Sequence, residues 1–305
     1  MKPKENSWLA VLLAIGTALT IPGLPSHAQS SVVLEIFPAF ELRFDTEPGS
    51  TYQLQSSTNL TTWTNATDAI NGDGMAARHL VSTLDNPLQT FRVLIAGGEG
   101  LAAHFPLNGS GADSTTNANN GTLMTPVATT NRFGAESSAL SFNGGSDRVV
   151  VPSSGGLNFS NAFSFSVWVK FESGGNLNPR VFHGGTDFSG YQLYTIGTGS
   201  SRQFDFLVNI PGIGWTGPSS SFRSADVWHH IAGTFDGTEV KLFVNGVPDG
   251  TAAANGSMAI EDTMLALGRI ASQDAGHWLG EIDELRLYSR VLSAEEIAVL
   301  FQLQQ

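Results

Sequence analysis

The chain of 305 residues contains no cysteine. That absence excludes a disulfide framework, a thiolate metal site, a cysteine nucleophile and a lipidated amino-terminal cysteine. Charge is also scarce. Asp, Glu, Lys and Arg make up 14% of the chain, and the balance is acidic, with a net charge of −12. A basic groove for nucleic acid or an anionic membrane is therefore not expected. The one extended apolar run, Trp8 to Ile21, falls short of the ~20 residues of a membrane-spanning helix. Gly, Ser, Thr and Asn stand where charge is missing, giving a surface of turns and hydroxyls of the kind found in extracellular β-proteins.

The amino terminus reads as an export signal over residues 1–28. Lys2 and Lys4 precede the apolar run, Pro22, Gly23 and Pro25 break it, and Ser26-His27-Ala28 places small residues where signal peptidase reads. The mature chain is then expected to be secreted or displayed at the cell surface, without a membrane span.

Two β-rich units follow. In residues 29–96, Glu41-Leu42-Arg43-Phe44 and Thr51-Tyr52-Gln53-Leu54-Gln55 alternate polar with apolar, as half-buried strands do. Glu47-Pro48-Gly49-Ser50 turns between them, Phe91 to Ile95 closes the unit, and Trp63 is assigned to its core. Residues 97–100 read as a Gly-rich linker. Residues 101–305 carry many short strand signals with Gly-rich turns, which argues a sandwich or barrel. Phe163 to Phe171 is the strongest, with five apolar residues on one face and Ser164, Ser166, Trp168 and Lys170 on the other. Asp236-Gly237 and Asn245-Gly246 are hairpin turns flanking Val240 to Val244. At the end, Ser293 and Glu296 form a capping box for a short helix, with Leu292 able to staple against Ile297.

Several phrases of the second unit, in order, resemble the LamG-like jelly rolls of the concanavalin A-like lectin/glucanase superfamily: Leu101–Leu123, Arg132–Pro152, Phe163–Lys170, Val227–Gly246 and Gly280–Ile297. Residues 40–63 resemble small β-modules of bacterial surface proteins. With the missing cysteine, this tilts the source toward bacteria. The resemblance implies an all-β protein: a two-sheet antiparallel jelly-roll sandwich preceded by a small β domain. It also implies a non-catalytic module that binds a polysaccharide or glycoconjugate, or else an extracellular protein.

Glu281-Ile282-Asp283-Glu284 is the nearest approach to catalysis. Glycosidases of this superfold place their carboxylates on alternate positions of one strand. Here Glu281 and Asp283 share a face by alternation, Glu284 points the other way, and Leu285 and Arg286 follow where the third carboxylate is needed. No glycosidase or serine-hydrolase constellation is expected. His229 and His230 are strand neighbours and point to opposite faces. His183 and His277 fall in loop-like stretches.

Calcium is the cofactor the resemblance suggests, in a structural role. Asp113, Asn117, Asn119 and Gly121 crowd one loop, with Asp283 joining them and Asp147 a further candidate. The alternative is that these side chains form Asx turns. Glycan binding needs an aromatic platform with planar polar groups around it. Trp215, in a Gly-rich stretch without strand period, either plugs the sandwich end or faces a ligand. Trp168 and Phe243 lie on the polar faces of their strands and form a concave aromatic face unless loops or the first unit cover it. Asp187, Tyr191 and Asp274 are loop neighbours placed to add polar contacts. Trp228 and Trp278 are assigned to core.

Overall fold

The computed structural model describes residues 39–46, 50–58, 62–68, 70–82, 89–97, 100–153, 156–259, 261 and 264–303. The export signal, the Glu47–Gly49 turn and linker residues Gly98 and Glu99 lie outside them.

The jelly roll has two eight-stranded sheets with antiparallel pairing throughout. We call the first the helix-side sheet. Its order is Val247–Ala253, Glu239–Val244, His229–Phe235, Phe163–Phe171, Leu279–Tyr288, Ala139–Asn143, Val127–Thr129, with Leu101–Phe105 also pairing to Leu279–Tyr288. The far sheet runs Gly214–Thr216, Ser201–Ile210, Ser189–Ile196, Arg180–Thr186, Leu265–Leu267, Arg148–Val151, Thr122–Met124, with Arg223–Ser224 also pairing to Ser201–Ile210. Neighbours distant in sequence, such as Phe163–Phe171 beside Leu279–Tyr288, are the crossovers of a jelly roll.

The core follows from alternation. Phe163, Phe165, Val167, Val169 and Phe171 point inward from the helix-side sheet and meet Phe182, Leu193, Phe204 and Phe206 of the far sheet. Phe165 stands edge-on to Phe182 at 5.0 Å and to Phe206 at 4.8 Å. The hairpin signals give the turns expected of them: Asn245 and Gly246 both take positive φ, 51° and 77°, as a type I′ turn requires.

The terminal helix, α1 (Ala294–Leu303), is capped as its sequence foretells. The Glu296 N–H donates to Ser293 Oγ at 3.2 Å, and the Ser293 N–H donates to Glu296 at 2.8 Å. Leu292, Ile297 and Leu300 form a second apolar cluster with Ala232, Phe243 and Tyr288 on the outer face of the helix-side sheet. A helix this short needs such packing to exist.

In the first unit, Ala39–Asp45 pairs with Ala76–Ser82, and Ser50–Ser57 pairs with Thr90–Gly97 and two short strands. Tyr52, Leu54 and Val81 are its buried apolar residues among those described, and Tyr52 packs on Phe44 at 5.5 Å. Trp63 is half-buried under the Arg92 guanidinium, 4.3 Å away, and is not part of that core. The strands Thr90–Gly97 and Ser50–Ser57 also contact α1. This unit and the helix therefore sit over the same side of the jelly roll. Thr51, Gln53 and Gln55 are buried on what the sequence reads as a half-exposed strand, Gln53 donating to the Thr67 carbonyl and Gln55 to Asn65 Oδ1.

Candidate functional site

Trp215 is held in a short strand, Gly214–Thr216, at the edge of the far sheet and opposite Asn209. Glycines frame it. At Gly217 an added Cβ would lie 1.9 Å from the Phe206 carbonyl oxygen, so only glycine lets this edge strand pack so closely. The indole Nε1–H donates to the backbone carbonyl of Asp187 at 2.8 Å, which fixes the ring while leaving it half-buried. Behind it the His183 ring lies 5.9 Å away, buried, with Nδ1 accepting the Ala271 N–H at 3.2 Å. Burial, aided by the Arg180 charge, pushes His183 down to about 4, so it is neutral at physiological pH. His183 belongs to the strand Arg180–Thr186 and not to a loop.

The polar rim comes from two turns. The Asp187 carboxylate accepts from Ser272 Oγ at 2.8 Å and Gln273 Nε2 at 2.6 Å, joining the tip of one hairpin to the loop after Leu265–Leu267. Phe188, beside Asp187, is 80% exposed, and Ile213, two residues before Trp215, is 57% exposed. The aromatic ring is thus tied to the backbone of Asp187, a residue whose carboxylate is itself held by Ser272 and Gln273.

Of the residues expected at a ligand site, Trp215 and Asp187 are brought together. Asp274 follows Gln273 on the same loop and is exposed, but its carboxylate pairs with Arg269 at 3.0 Å. Tyr191 is not there. Strand alternation turns it inward, where its hydroxyl donates to the Leu157 carbonyl at 3.2 Å among Phe159, Phe163 and Phe182. Trp168 and Phe243 do lie on the outer face of their sheet, but α1 covers them. Phe301 stacks on Trp168 at 5.8 Å, and Phe243 is buried beneath Ile297 and Leu300. Trp278 is core, as assigned, whereas Trp228 is half-buried with Lys170 Nζ 5.6 Å from its ring. Phe188, Ser272 and Gln273 escape the sequence reading. Phe188 carries a signal in hindsight, a large apolar residue between Asp187 and the turn-forming Ser189-Gly190.

The residues suggested for calcium do not fit one cage. Asp113 takes the N–H groups of His104, Thr115 and Asn119 and the side chains of Thr115 and Asn119, at 2.9 to 3.2 Å. These donors saturate its two oxygens. Asn117 and Asn119 turn their amides onto the Ala102 carbonyl, and the Gly121 N–H donates to Gly111. Asp147 accepts from Thr125 and the Asn143 N–H elsewhere, and Asp283 pairs with Arg132 at 2.6 Å. This is the Asx-turn alternative, a loop tied by its own side chains.

Glu284 departs from simple alternation. Opposite Val167 alone, the strand Leu279–Tyr288 places two residues, Glu284 and Leu285, and Glu284 has φ 54°. This β-bulge turns Glu284 to the outer face beside Glu281 and Asp283, and not away from them. All three carboxylates meet cations: Glu281 with Lys170 at 2.8 Å, Asp283 with Arg132, and Glu284 with Arg286 at 2.8 Å. Burial, with the neighbouring Glu284 charge, pushes Asp283 up to about 7. Burial would raise Glu284 too, but the Arg286 charge and the His104 hydrogen bond outweigh it and bring it down to about 2. His230, on the same face, donates to or accepts from Ser166 at 2.8 Å, and burial pushes it down to about 3. His229 points to the opposite face, stacked on Phe171 in the core.

Residues 143–298 match the family model described as the concanavalin A-like lectin/glucanases superfamily, just over half of the chain. The chain belongs to this superfamily. Among solved structures with the same fold, domain 4 of AbnA, an extracellular arabinanase from Geobacillus stearothermophilus solved with arabinotriose, has a TM-score of 0.52 at 22% identity, covering 67% of this chain and 98% of that one. The serotype D botulinum neurotoxin ligand-binding domain, solved with N-acetylneuraminic acid, has a TM-score of 0.51 at 13% identity. The binding domain of Paraclostridial Mosquitocidal Protein 1 has a TM-score of 0.50 at 16% identity. Each toxin match covers about two thirds of this chain, which spans about half the length of those domains. At these identities the likeness to the superfamily's solved members is one of fold. No curated protein sequence matches the chain.

Proposed function

We propose that the chain is an exported, non-catalytic carbohydrate-binding protein, and that Trp215 is the platform on which a sugar ring stacks. The observation that carries this reading is the half-exposed indole pinned by the Asp187 carbonyl, on a turn whose carboxylate is bonded to Gln273. A sugar C–H face lies on such a ring while its hydroxyls meet the carboxylate and amide, and no ordering cost remains at the moment of binding. The lectin-like fold and the sugars bound by structural neighbours make a glycan the natural partner class. A non-catalytic role is supported on the other sheet. A glycosidase needs two reachable carboxylates flanking the bond, about 5–10 Å apart, whereas Asp283 is 1% exposed and bonded to Arg132.

Covering half an indole removes about 100 Å² of apolar surface from water, worth about 2.5 kcal/mol. The test is a polysaccharide and glycan panel with the mature chain and its Trp215→Ala variant. The expected result is binding to one glycan class, weakened roughly fifty- to hundredfold by the substitution. Silence across the panel refutes the reading and favours its rival, an extracellular protein partner, to which the exposed Phe188 and Ile213 side chains suit equally well.

A further inference from the structure

A cleft of about 290 Å³ lies where the first unit meets the jelly roll. The strand Ser50–Ser57 brings Ser50 and Thr51 to one wall, and Asn71 stands beside them, its Oδ1 accepting from Thr51 Oγ1 at 3.3 Å. The opposite wall is Glu284 and Arg286, from the bulged strand, with the exposed Asn108 at the mouth. His104 and Ser114 complete that side.

The polar groups at the base are only partly spent. Glu284 Oε2 accepts from His104 Nε2 at 2.9 Å and from Arg286 Nη2 at 2.8 Å. Both contacts fall on one oxygen. The Arg286 side chain is 4% exposed, and its Nη1 is sealed from solvent without a hydrogen-bond partner among the described residues, so what it lends the cleft is its charge. His104 is held neutral, since burial and then the Arg286 charge lower it. With Nε2–H on Glu284, its Nδ1 accepts from the Ser114 hydroxyl at 2.8 Å. Glu284 itself occupies a left-handed conformation that a non-glycine residue adopts at a cost of roughly 1–2 kcal/mol.

Net charge then selects the ligand. An anion would meet the Glu284 carboxylate, and a cation would meet Arg286. With His104 neutral, the charged groups lining the cleft cancel, and the remainder are hydroxyls and amides. We infer that this cleft is a second binding site, for a neutral polyhydroxylated ligand the size of one sugar unit, with a hydroxyl donating to Glu284 beside the Arg286 charge. Because both units supply walls, the bound sugar also bridges the first unit to the jelly roll. The inference stands apart from the Trp215 platform and does not rest on it.

The test uses the mature chain carrying Trp215→Ala, which removes the other platform, titrated calorimetrically with free D-glucose, D-galactose, D-xylose, L-arabinose and, as an anionic control, sulfate. Millimolar binding of at least one sugar and none of sulfate is expected. Adding Asn108→Trp, which plugs the mouth from an exposed position, should abolish that binding while thermal melting stays unchanged. Adding Glu284→Gln should weaken it by roughly tenfold. No sugar binding by the Trp215→Ala chain, binding that survives Asn108→Trp, or sulfate binding as strong as the sugars would each overturn the inference.

Discussion

Replacing Ile297 with alanine probes whether α1 truly seals the outer face of the helix-side sheet. Ile297 is fully buried and packs with Phe243, Tyr288, Leu292 and Leu300. The substitution removes three carbons from contact, worth about 2.4 kcal/mol at ~0.8 kcal/mol each. A residual cavity adds to this, for a total near 3 kcal/mol. In a chain of this size that lowers the melting temperature by roughly 6–12 °C. Ser293→Ala is the graded companion. It breaks one side of the capping box without touching the apolar cluster and should cost about 1 kcal/mol. Both are read by urea denaturation and differential scanning calorimetry. If Ile297→Ala costs less than about 1 kcal/mol, outside the range of buried isoleucine truncations, the helix does not seal this face. Trp168 and Phe243 would then return as candidate sugar contacts.

The polar face beneath the helix gives a pH signature. Glu284, held down to about 2, contributes stability that is complete above its ordinary value and is lost as pH falls toward 2. Asp283, raised to about 7, has the opposite sign, with stability present below its ordinary value and lost as pH rises through 7. Melting temperature against pH should therefore peak on the acidic side of neutrality. Glu284→Gln should flatten the acid limb, and Asp283→Asn the limb toward neutral pH. For the Asp113 loop, the expected melting temperature is the same in calcium and in chelator. Asp113→Ala should cost about 2–3 kcal/mol in either, because five donors lose their acceptor. A calcium-dependent rise in melting temperature that Asp113→Ala abolishes would restore the metal site.

Where local pattern and environment agree, the sequence is enough to read the structure. Phe163–Phe171 has the bounds its alternation indicates, Asn245-Gly246 makes its hairpin, and the Ser293/Glu296 box starts the helix. The readings that fail depend on partners distant in sequence. Whether Trp168 faces solvent depends on where α1 docks, which the strand itself does not encode. Glu284 faces outward because Val167 meets two residues at once, a property of the pairing and not of either strand. Tyr191 reads as a loop neighbour of Asp187, but it lies in the strand Ser189–Ile196. The alternation of Tyr191, Leu193 and Thr195 marks an inward face, and all three are buried. Trp215 was legible as an aromatic out of pattern. Its rim was not, since Ser272 and Gln273 reach Asp187 across more than 80 residues.

The most direct test of the glycan reading follows the indole N–H resonances of the mature chain by ¹⁵N-labelled NMR during titration with the bound glycan. Five of the six tryptophans lie beyond residue 28, and the Trp215 signal is identified by its disappearance in Trp215→Phe. The account expects this resonance to shift on binding while those of Trp168 and Trp278, sealed under α1 and in the core, stay in place. A glycan that binds while the Trp215 resonance remains still, or that moves Trp168 instead, contradicts it.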